Sequence, residues 1–334
     1  MLKTKSFIAM LLLVAMLVLG LTSCQIGNTT TTSGEAEKTT IRVGGLKGPT
    51  SIGMAKLMAD DKTESTLNDY EFTIAAAADE LTPLLLQGKL DMVAVPANLA
   101  AVLYKRTEGQ VQVLAVNTLG VQYIVQKGGE TIDSIADLRG KTVYATGKGT
   151  VNEYVLSHLL TQNGLSAADV TVEWKSEPTE VVATLKTASE GVAMLPQPYV
   201  TIAQTQIPEL TVALGFEDEW NALATDSRLI TGVMVVRRAF AEEHPEAIAK
   251  FQTEYKASAE YVKANPAEAA VWVTEFLGIP TPVATKAIPH CNIAYIDGED
   301  MKTALSAYLE VLFGINPASV GGQLPSDDFY YSAK

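Results

Sequence analysis

Short apolar segments alternate with helical patterns along most of this 334-residue chain, and this alternation limits its fold more than any other feature. Four strand-like segments occur between residues 41 and 116, and the same order restarts at Val121. Strands that alternate with helices in this way form a mostly parallel sheet with helices on both faces. We therefore predict an α/β fold with two mostly parallel sheets flanked by helices. The predicted strands are residues 41–45, 72–77, 92–95, 111–116, 121–126, 142–145, 170–174, 192–195 and 210–214.

From Phe240 onward the pattern changes to helices whose first turns contain proline, which is well tolerated at that position. With no strand-rich stretch expected there, these helices must pack back on the first sheet. A body of roughly 295 residues is at the upper limit for one hydrophobic core, which favours two lobes. We predict that residues 41–118 and 233–334 form the first lobe and residues 119–232 the second. Two crossings, near residues 117–120 and 227–232, would make a two-strand hinge.

The N-terminal segment has the pattern of a bacterial lipoprotein signal. Lys3 and Lys5 precede an apolar run over residues 7–19, which is shorter than the roughly 20 residues that a membrane-spanning helix needs. A Leu-Thr-Ser-Cys box follows at residues 21–24 and resembles the one that the lipoprotein-processing peptidase recognises. The resemblance implies a signal peptide over residues 1–23 and a lipid anchor on Cys24, which would hold the protein on the outer face of the cytoplasmic membrane.

Residues 24–40 are dense in Thr, Ser, Gly and Asn and contain almost no apolar residue. Such a segment cannot bury enough surface to offset the entropy of ordering it, so we predict a flexible tether.

Charge and cysteine content exclude several classes of function. Lys and Arg total 25 against 38 Asp and Glu, so the chain offers no basic stripe for nucleic acid. With Cys24 acylated, Cys291 would be the only other thiol, so we predict no disulfide, no metal site and no cofactor. The three histidines lie in different contexts and no Gly-x-Ser-x-Gly motif occurs, so we predict no catalytic residues. A role for the adjacent His290 and Cys291 stays open.

In an open α/β sheet, ligands bind beyond the carboxyl ends of the strands, where loops lead into helices. Small and neutral polar residues occupy these positions in both predicted lobes, so backbone N–H groups can approach a ligand there. In the first lobe the candidate ligand-binding residues are Gly48, Pro49, Thr50, Ser51, Pro96, Ala97, Asn98, Asn117 and Thr118. In the second lobe they are Thr146, Gly147, Lys148, Gly149, Thr150, Val151 and Gln197.

The turn from Gly147 to Thr150 is the sharpest of these candidates. A glycine-rich turn that opens a helix points unpaired N–H donors and about half a positive charge at whatever docks there. We therefore expect the turn to favour an anionic or carbonyl-bearing ligand. An ordinary turn that needs glycine for its backbone conformation is the alternative.

Three segments carry a resemblance to a known family. They are LLLQGKLDMVAV at residues 84–95, IADLRGKTV at 135–143 and VMVVRRAFAEEHPEAIAKF at 233–251. The chain resembles the substrate-binding proteins of ABC importers for nitrate, sulfonates, taurine and thiamine precursors, which have the type II periplasmic-binding-protein fold. The resemblance implies a monomer that captures a small organic molecule or anion between two lobes and delivers it to a membrane permease and its ATPase.

One departure from the family pattern leaves the ligand open. The family commonly has Glu-Pro-Tyr after one strand, where this chain has Gln197-Pro198-Tyr199, and Lys47 and Lys148 are the only cations near the candidate residues. Sulfonates, nitrate-like anions and thiamine precursors all remain candidates. Two alternatives to transport are an enzyme of thiamine-pyrimidine or related biosynthesis on the same fold and a ligand-sensing surface receptor. The enzyme family carries a Cys-rich segment, which Cys291 alone cannot supply.

Overall fold

Two mixed β-sheets form the framework of the protein in the computed structural model, which describes residues 38–223 and 227–333. The six strands of the first sheet are β1 (Thr40–Leu46), β2 (Asp69–Ala75), β3 (Met92–Pro96), β4 (Val111–Leu119), β10 (Ile230–Arg237) and β11 (Ile293–Ile296). The five strands of the second sheet are β5 (Gln122–Lys127), β6 (Thr142–Thr146), β7 (Thr171–Lys175), β8 (Gly191–Pro196) and β9 (Thr211–Gly215).

Helices connect the strands and cover the sheets. Those that follow strands of the first sheet in its N-terminal part are α1 (Pro49–Ile52), α2 (Ala55–Lys62), α3 (Ala78–Leu86) and α4 (Ala97–Arg106). Those between the strands of the second sheet are α5 (Val151–Gln162), α6 (Pro178–Thr187), α7 (Tyr199–Gln206) and α8 (Phe216–Asn221). The C-terminal helices are α9 (Arg238–Glu243), α10 (Pro245–Ala264), α11 (Pro266–Leu277), α12 (Thr281–Ala287) and α13 (Gly298–Ile315).

The strand order is β11-β4-β10-β3-β1-β2 in the first sheet and β7-β6-β8-β5-β9 in the second. β1 pairs in parallel with β2 and β3, and β6 pairs in parallel with β7 and β8. The predicted α/β fold class with two helix-flanked sheets is confirmed, but the sheets are mixed rather than mostly parallel. The reason is the crossing between them: β5 enters the second sheet antiparallel to β8 and β9, and β10 returns to the first antiparallel to β3 and β4.

The strands β10 and β11 are absent from the predicted set, and β11 lies in the region after Phe240 where the pattern indicated only helices. It pairs antiparallel with β4 at the edge of the first sheet. Its four residues, Ile-Ala-Tyr-Ile, are too few to show a periodic pattern, and they follow a loop that contains Pro289 and Cys291. A strand this short is detected only through its partner.

The chain passes from the first sheet to the second between Leu119 and Gln122, and it returns before Ile230. The outward crossing is held by two bonds: the Leu119 N–H donates to the Asn292 carbonyl at 3.0 Å, and the Gly120 N–H donates to Glu217 Oε2 at 2.9 Å. These positions agree with the two predicted crossings. The assignment of residues 41–118 and 233–334 to one lobe and 119–232 to the other stays a prediction.

The described residues form one compact unit. Its largest apolar core contains side chains from around both sheets, including Leu159 of α5, Trp220 of α8 and Tyr308 of α13. The Trp220 ring lies between His158 and Tyr308, at centroid distances of 4.9 Å and 5.7 Å. The apolar contact between the two halves is therefore continuous at this point.

The predicted signal peptide (residues 1–23), the anchor Cys24 and most of the predicted tether (residues 24–40) lie outside the described residues. The strand β1 begins at Thr40, one residue inside the predicted tether. No helix in the described part of the chain is both long and apolar enough to cross a membrane.

A buried carboxylate fastens three central strands of the first sheet at one end. Asp91 directly precedes β3, and its side chain is 1% exposed. Arg42 of β1 donates to it through Nε at 2.8 Å and NH2 at 2.6 Å, and Arg237 at the end of β10 donates through NH2 at 2.6 Å. Burial alone would raise the pKa of Asp91, but the hydrogen bonds from Arg42 and Arg237 outweigh it and hold the pKa below its ordinary value.

We expect Asp91→Asn to lower the free energy of unfolding by about 3 kcal/mol, because it leaves two guanidinium groups without their shared anion. Asp69→Asn is the matched control, since Asp69 is 59% exposed and its contact with Lys38 is 3.8 Å, a pair worth less than about 1 kcal/mol. Urea unfolding measures both. Similar losses of unfolding free energy in the two variants would show that Asp91 does not fasten these strands.

The same site predicts a pH dependence. Because the native pKa of Asp91 is lowered, its stabilisation is complete above the unfolded pKa of about 3.9 and is lost as the pH falls through the native value. The difference in stability between the wild type and Asp91→Asn should therefore shrink below about pH 4. A difference that stayed constant down to acid unfolding would contradict this assignment.

Candidate functional site

A cavity of about 530 Å³ lies where turns from both sheets meet. It collects residues from three parts of the chain. The turn after β3 and the C-terminal segment provide Pro96, Asn98, Tyr308, Asn316, Ala318 and Ser319. The turn after β6 and the helix α5 provide Gly149, Thr150, Val151, Asn152, Tyr154 and Val155. The two crossing segments provide Val121, Gln122, Leu229, Ile230 and Thr231.

The turn before α5 uses glycine where the backbone requires it. Gly147 and Gly149 have φ values of 87° and 75°, in the left-handed region that favours glycine. Thr150 is the N-cap of α5: its Oγ1 accepts from the Asn152 N–H at 3.3 Å and donates to the Gly147 carbonyl at 2.6 Å. The turn is thus a well-formed start of a helix on the wall of the cavity.

Two N–H donors of this turn, those of Gly149 and Thr150, are already paired, contrary to what its sequence suggests. The Gly149 N–H donates to Glu153 Oε2 at 2.6 Å, so a carboxylate of the chain itself lies at the start of α5. Lys148 is exposed and does not line the cavity. For the Gly149 N–H, the expectation of an unpaired donor for an anion is therefore wrong, because the helix supplies its own anion four residues later. Ligand binding by the turn stays a prediction.

A hydrogen-bonded link crosses the cavity wall from α5 to the end of α13. The Tyr154 hydroxyl donates to the Gly149 carbonyl at 3.0 Å and accepts from Asn316 Nδ2 at 2.7 Å. Asn316 Oδ1 in turn accepts from the Ala318 N–H at 3.1 Å. Nearby, Asn98 Nδ2 donates to the Ser319 carbonyl at 3.2 Å. The C-terminal segment is thereby joined to turns that follow β3 and β6.

The turn from Gly48 to Ser51 does not line the cavity. Thr50 and Ser51 are buried, and Thr118 Oγ1 lies 3.4 Å from the Pro49 carbonyl and 3.0 Å from Asn117 Oδ1. Asn117 and Thr118 are themselves almost fully buried. These predicted site residues are brought together beside Gly232 of β10, but they do not line the cavity.

Gln197, Thr146 and Ala97 also lie behind the cavity surface. Gln197 is 3% exposed, and its Oε1 accepts from Thr201 Oγ1 at 2.9 Å. Its backbone N–H donates to the Val121 carbonyl at 3.0 Å, which ties the start of α7 to the crossing segment. Of the predicted site residues, the cavity is lined by Pro96, Asn98, Gly149, Thr150 and Val151.

Sequence reasoning missed the residues that come from the crossings and the C-terminal segment. Gln122 follows directly on the predicted crossing, so its position near a site could have been inferred from that crossing. Tyr154 lies one helical turn after Thr150 and shares its face of α5, which is also a usable signal. Asn316 and Ser319 come just after α13. Nothing in the local sequence indicates that this segment lies near the ends of the strands.

The other reactive side chains are isolated from the cavity. Burial raises the pKa of the Cys291 thiol to about 12, so it is a poor nucleophile at neutral pH. The His290 carbonyl accepts from the Tyr123 hydroxyl at 2.7 Å. Burial lowers the pKa of His158, which stacks on Trp220. In the described ranges, no three His, Cys, Asp or Glu side chains are grouped so that they could hold a metal ion.

Comparison with known proteins agrees with this architecture. The NMT1/THI5-like family model matches residues 68–269, about three-fifths of the chain. The chain belongs to the NMT1/THI5-like family. The family resemblance expected from the sequence is therefore confirmed. No curated protein matches the sequence of this family member.

Solved structures with the type II periplasmic-binding-protein fold are similar over most of their length. An ABC transporter protein from Parabacteroides distasonis is 21% identical, with 89% of this chain and 100% of that chain covered and a TM-score of 0.74. The aliphatic sulphonate binding protein SsuA from Escherichia coli is 16% identical, with 88% and 92% covered and a TM-score of 0.68. The nitrate-binding protein NrtA from Synechocystis is 16% identical, with 74% and 69% covered and a TM-score of 0.52. This NMT1/THI5-like protein shares their fold.

We expect Gly232→Ala to lower the free energy of unfolding by about 1–3 kcal/mol, as overpacking does in a tight core. A Cβ atom at Gly232 would lie 2.5 Å from both Asn117 Oδ1 and Thr50 Cγ2. Gly48→Ala is the matched control, because its φ of 175° suits any residue and a Cβ there meets no atom within 4 Å. Thermal unfolding compares the two. Equal melting temperatures would show that the packing of Thr50 against β10 is loose.

Proposed function

We propose that the protein is the extracytoplasmic solute-binding component of an ABC importer. The observation that carries this proposal is the cavity of about 530 Å³, which is lined by turns from both sheets. Its volume suits a small organic molecule. Solved structures with the same fold include proteins named as periplasmic sulphonate- and nitrate-binding proteins, which supports the role.

The mechanism follows from the position of the cavity beside the two crossings. Val121 and Gln122 lie on the outward crossing and Leu229 to Thr231 on the return, so rotation about these segments would open or close the site. A ligand that contacts both walls stabilises the closed arrangement, because only there are both sets of contacts made. The permease and its ATPase would then receive the ligand from the closed form.

An enzyme of thiamine-pyrimidine or related biosynthesis is the less favoured alternative. Cys291 is buried with a raised pKa, and no titratable acid or base other than tyrosine lines the described cavity. A binding role needs only complementary contacts, which the cavity offers. A ligand-sensing receptor would close on its ligand in the same way. It would differ only in its partner, a signalling protein instead of a permease.

The same proposal places the protein on the outer face of the cytoplasmic membrane, held by lipid on Cys24 and acting as a monomer. Two or more acyl chains are needed for durable anchoring, since each buried methylene contributes about 0.8 kcal/mol. We expect Cys24→Ser to abolish incorporation of labelled palmitate and to move the protein from the membrane fraction to the soluble fraction. Retention of label in that variant would show that another residue is acylated.

Ligand-dependent thermal stabilisation tests the binding role. A ligand at a hundred times its dissociation constant adds about 2.7 kcal/mol to the free energy of unfolding. We propose a screen of sulfonates, nitrate, thiamine precursors and small aromatic acids and amides. A compound that stabilises the protein strongly, and that cells take up only when they carry both this protein and a permease encoded beside its gene, would support transport. A hit converted chemically by the protein would favour the enzyme instead.

We expect Tyr154→Phe to weaken the affinity of whichever ligand the screen identifies by about tenfold, because it removes the hydroxyl that joins Gly149 to Asn316. Tyr261→Phe is the matched control: it loses a single hydrogen bond, to Glu268 at 2.8 Å, on an exposed surface of α10, whereas Tyr154→Phe loses two. Titration calorimetry measures both. Equal ligand affinities in the two variants would show that the hydrogen bonds of the Tyr154 hydroxyl do not contribute to ligand binding.

A further inference from the structure

Among the residues that the structure describes, none brings a full charge to the cavity surface with which to bind an ion. Every residue that lines it is neutral, and none is Asp, Glu, Lys, Arg or His within the described ranges. Lys47 and Lys148, the cations expected near the site, are exposed and do not line it. An anion transferred into this cavity would lose its hydration without meeting a counter-charge, and such a transfer is strongly unfavourable.

The start of α5 makes an anion less favourable still. Glu153 accepts from the Gly149 N–H at 2.6 Å, so a negative charge already occupies the end of the helix that would attract one. The same arrangement occurs at two other turns that follow strands: Glu80 accepts from the N–H groups of Ala76 and Ala77, and Glu180 accepts from that of Ser176. The partial positive charge at each of these helix starts is therefore offset by a carboxylate of the chain itself.

One polar group in the cavity wall lacks a partner. Gln122 Oε1 is shielded from solvent and has no hydrogen-bond partner among the described residues, although almost all buried polar atoms in proteins have one. Two other cavity amides are engaged: Asn98 donates to Ser319, and Asn316 bonds both Tyr154 and Ala318. Gln122 therefore has an unused capacity to accept a hydrogen bond.

A helix start without its own carboxylate adjoins the same space. α4 has no acidic residue in its first turn, and Pro96 and Asn98 at that turn line the cavity. Its N–H groups suit a carbonyl or similar acceptor. A group that both accepts and donates, such as a carboxamide, lactam or ureide, would match this donor and the Gln122 acceptor together.

We propose that the ligand of this cavity is uncharged and that rotation of the Gln122 amide presents its Oε1 to an N–H or O–H donor of the ligand. This inference rests on the binding role proposed above and narrows its ligand class. It differs from what the names of the similar sulphonate- and nitrate-binding proteins would suggest for this chain. The apolar wall, which includes Val151, Val155 and Ile230, would cover the rest of the molecule.

Matched pairs of compounds test the charge. The probes are benzamide against benzoate, benzenesulfonamide against benzenesulfonate, and urea at millimolar concentration against nitrate. We expect the neutral member of at least one pair to raise the melting temperature and its anion to have no effect. Stabilisation by the anions in preference to the amides would overturn this inference while leaving the binding role intact. If neither member of any pair stabilises the protein, this inference fails, and the broader screen then decides the binding role separately.

Substitution at position 122 tests the acceptor. We expect benzamide, which has two N–H donors, to bind the wild type about tenfold more tightly than N,N-dimethylbenzamide, which has none. Gln122→Met should erase that preference, whereas Gln204→Met, at an exposed position on α7, should preserve it. The ratio of the two affinities is insensitive to a general loss of stability. An unchanged preference in Gln122→Met would remove this residue from ligand recognition.

Discussion

The ion pair network around Asp91 fixes the geometry on which the rest of the molecule depends. It connects β1, the start of β3 and the end of β10, and the backbone repeats the connection, because the Arg237 N–H donates to the Asp91 carbonyl at 2.9 Å. β10 is the strand that returns from the second sheet, and its register against β3 and β4 is set from this end. At its other end the same register places Gly232 against Thr50 and Asn117, and Thr231 on the cavity. The position of one wall of the site therefore depends on a buried carboxylate at the opposite end of the same strands.

The cavity combines satisfied polar groups with an apolar surface. The hydrogen bonds of Tyr154, Asn316 and Asn98 hold the C-terminal segment to the turns after β3 and β6. Such groups shape the site but have little left to offer a ligand. Recognition then depends on shape, on the exclusion of charge and on the few groups that stay unpaired. This arrangement would let a fold that occurs in sulphonate- and nitrate-binding proteins serve a different class of solute.

The sequence predicted the fold class and the boundaries of nine of the eleven strands in the described residues to within about three residues, but it missed β10 and β11. The central strands were the easiest to recognise, because they are buried on both faces and appear as continuous apolar runs. Residues 92–95, for example, are fully buried between helices. The direction of pairing was not predictable in the same way. Only the three-dimensional path shows that β5 and β10 enter their sheets antiparallel, and the four residues of β11 carry no periodic signal of their own.

The site was predictable in part. The rule that ligands bind beyond the carboxyl ends of strands gave Pro96, Asn98 and the turn at Thr150, which line the cavity. It could not separate these from Thr50 and Gln197, which follow strands equally but face inward. The charge of the helix start at Thr150 was also misjudged, because the decisive group, Glu153, lies inside the helix.

The packing of Trp220 between His158 and Tyr308 has a practical consequence. Tyr308 contributes to the cavity wall on one side, while the indole N–H donates to Ser227 Oγ at 3.0 Å beside the return crossing. The indole therefore contacts one residue of the cavity wall and one residue beside the segment about which the halves would rotate. Its emission spectrum offers an optical signal of occupancy that needs no attached dye.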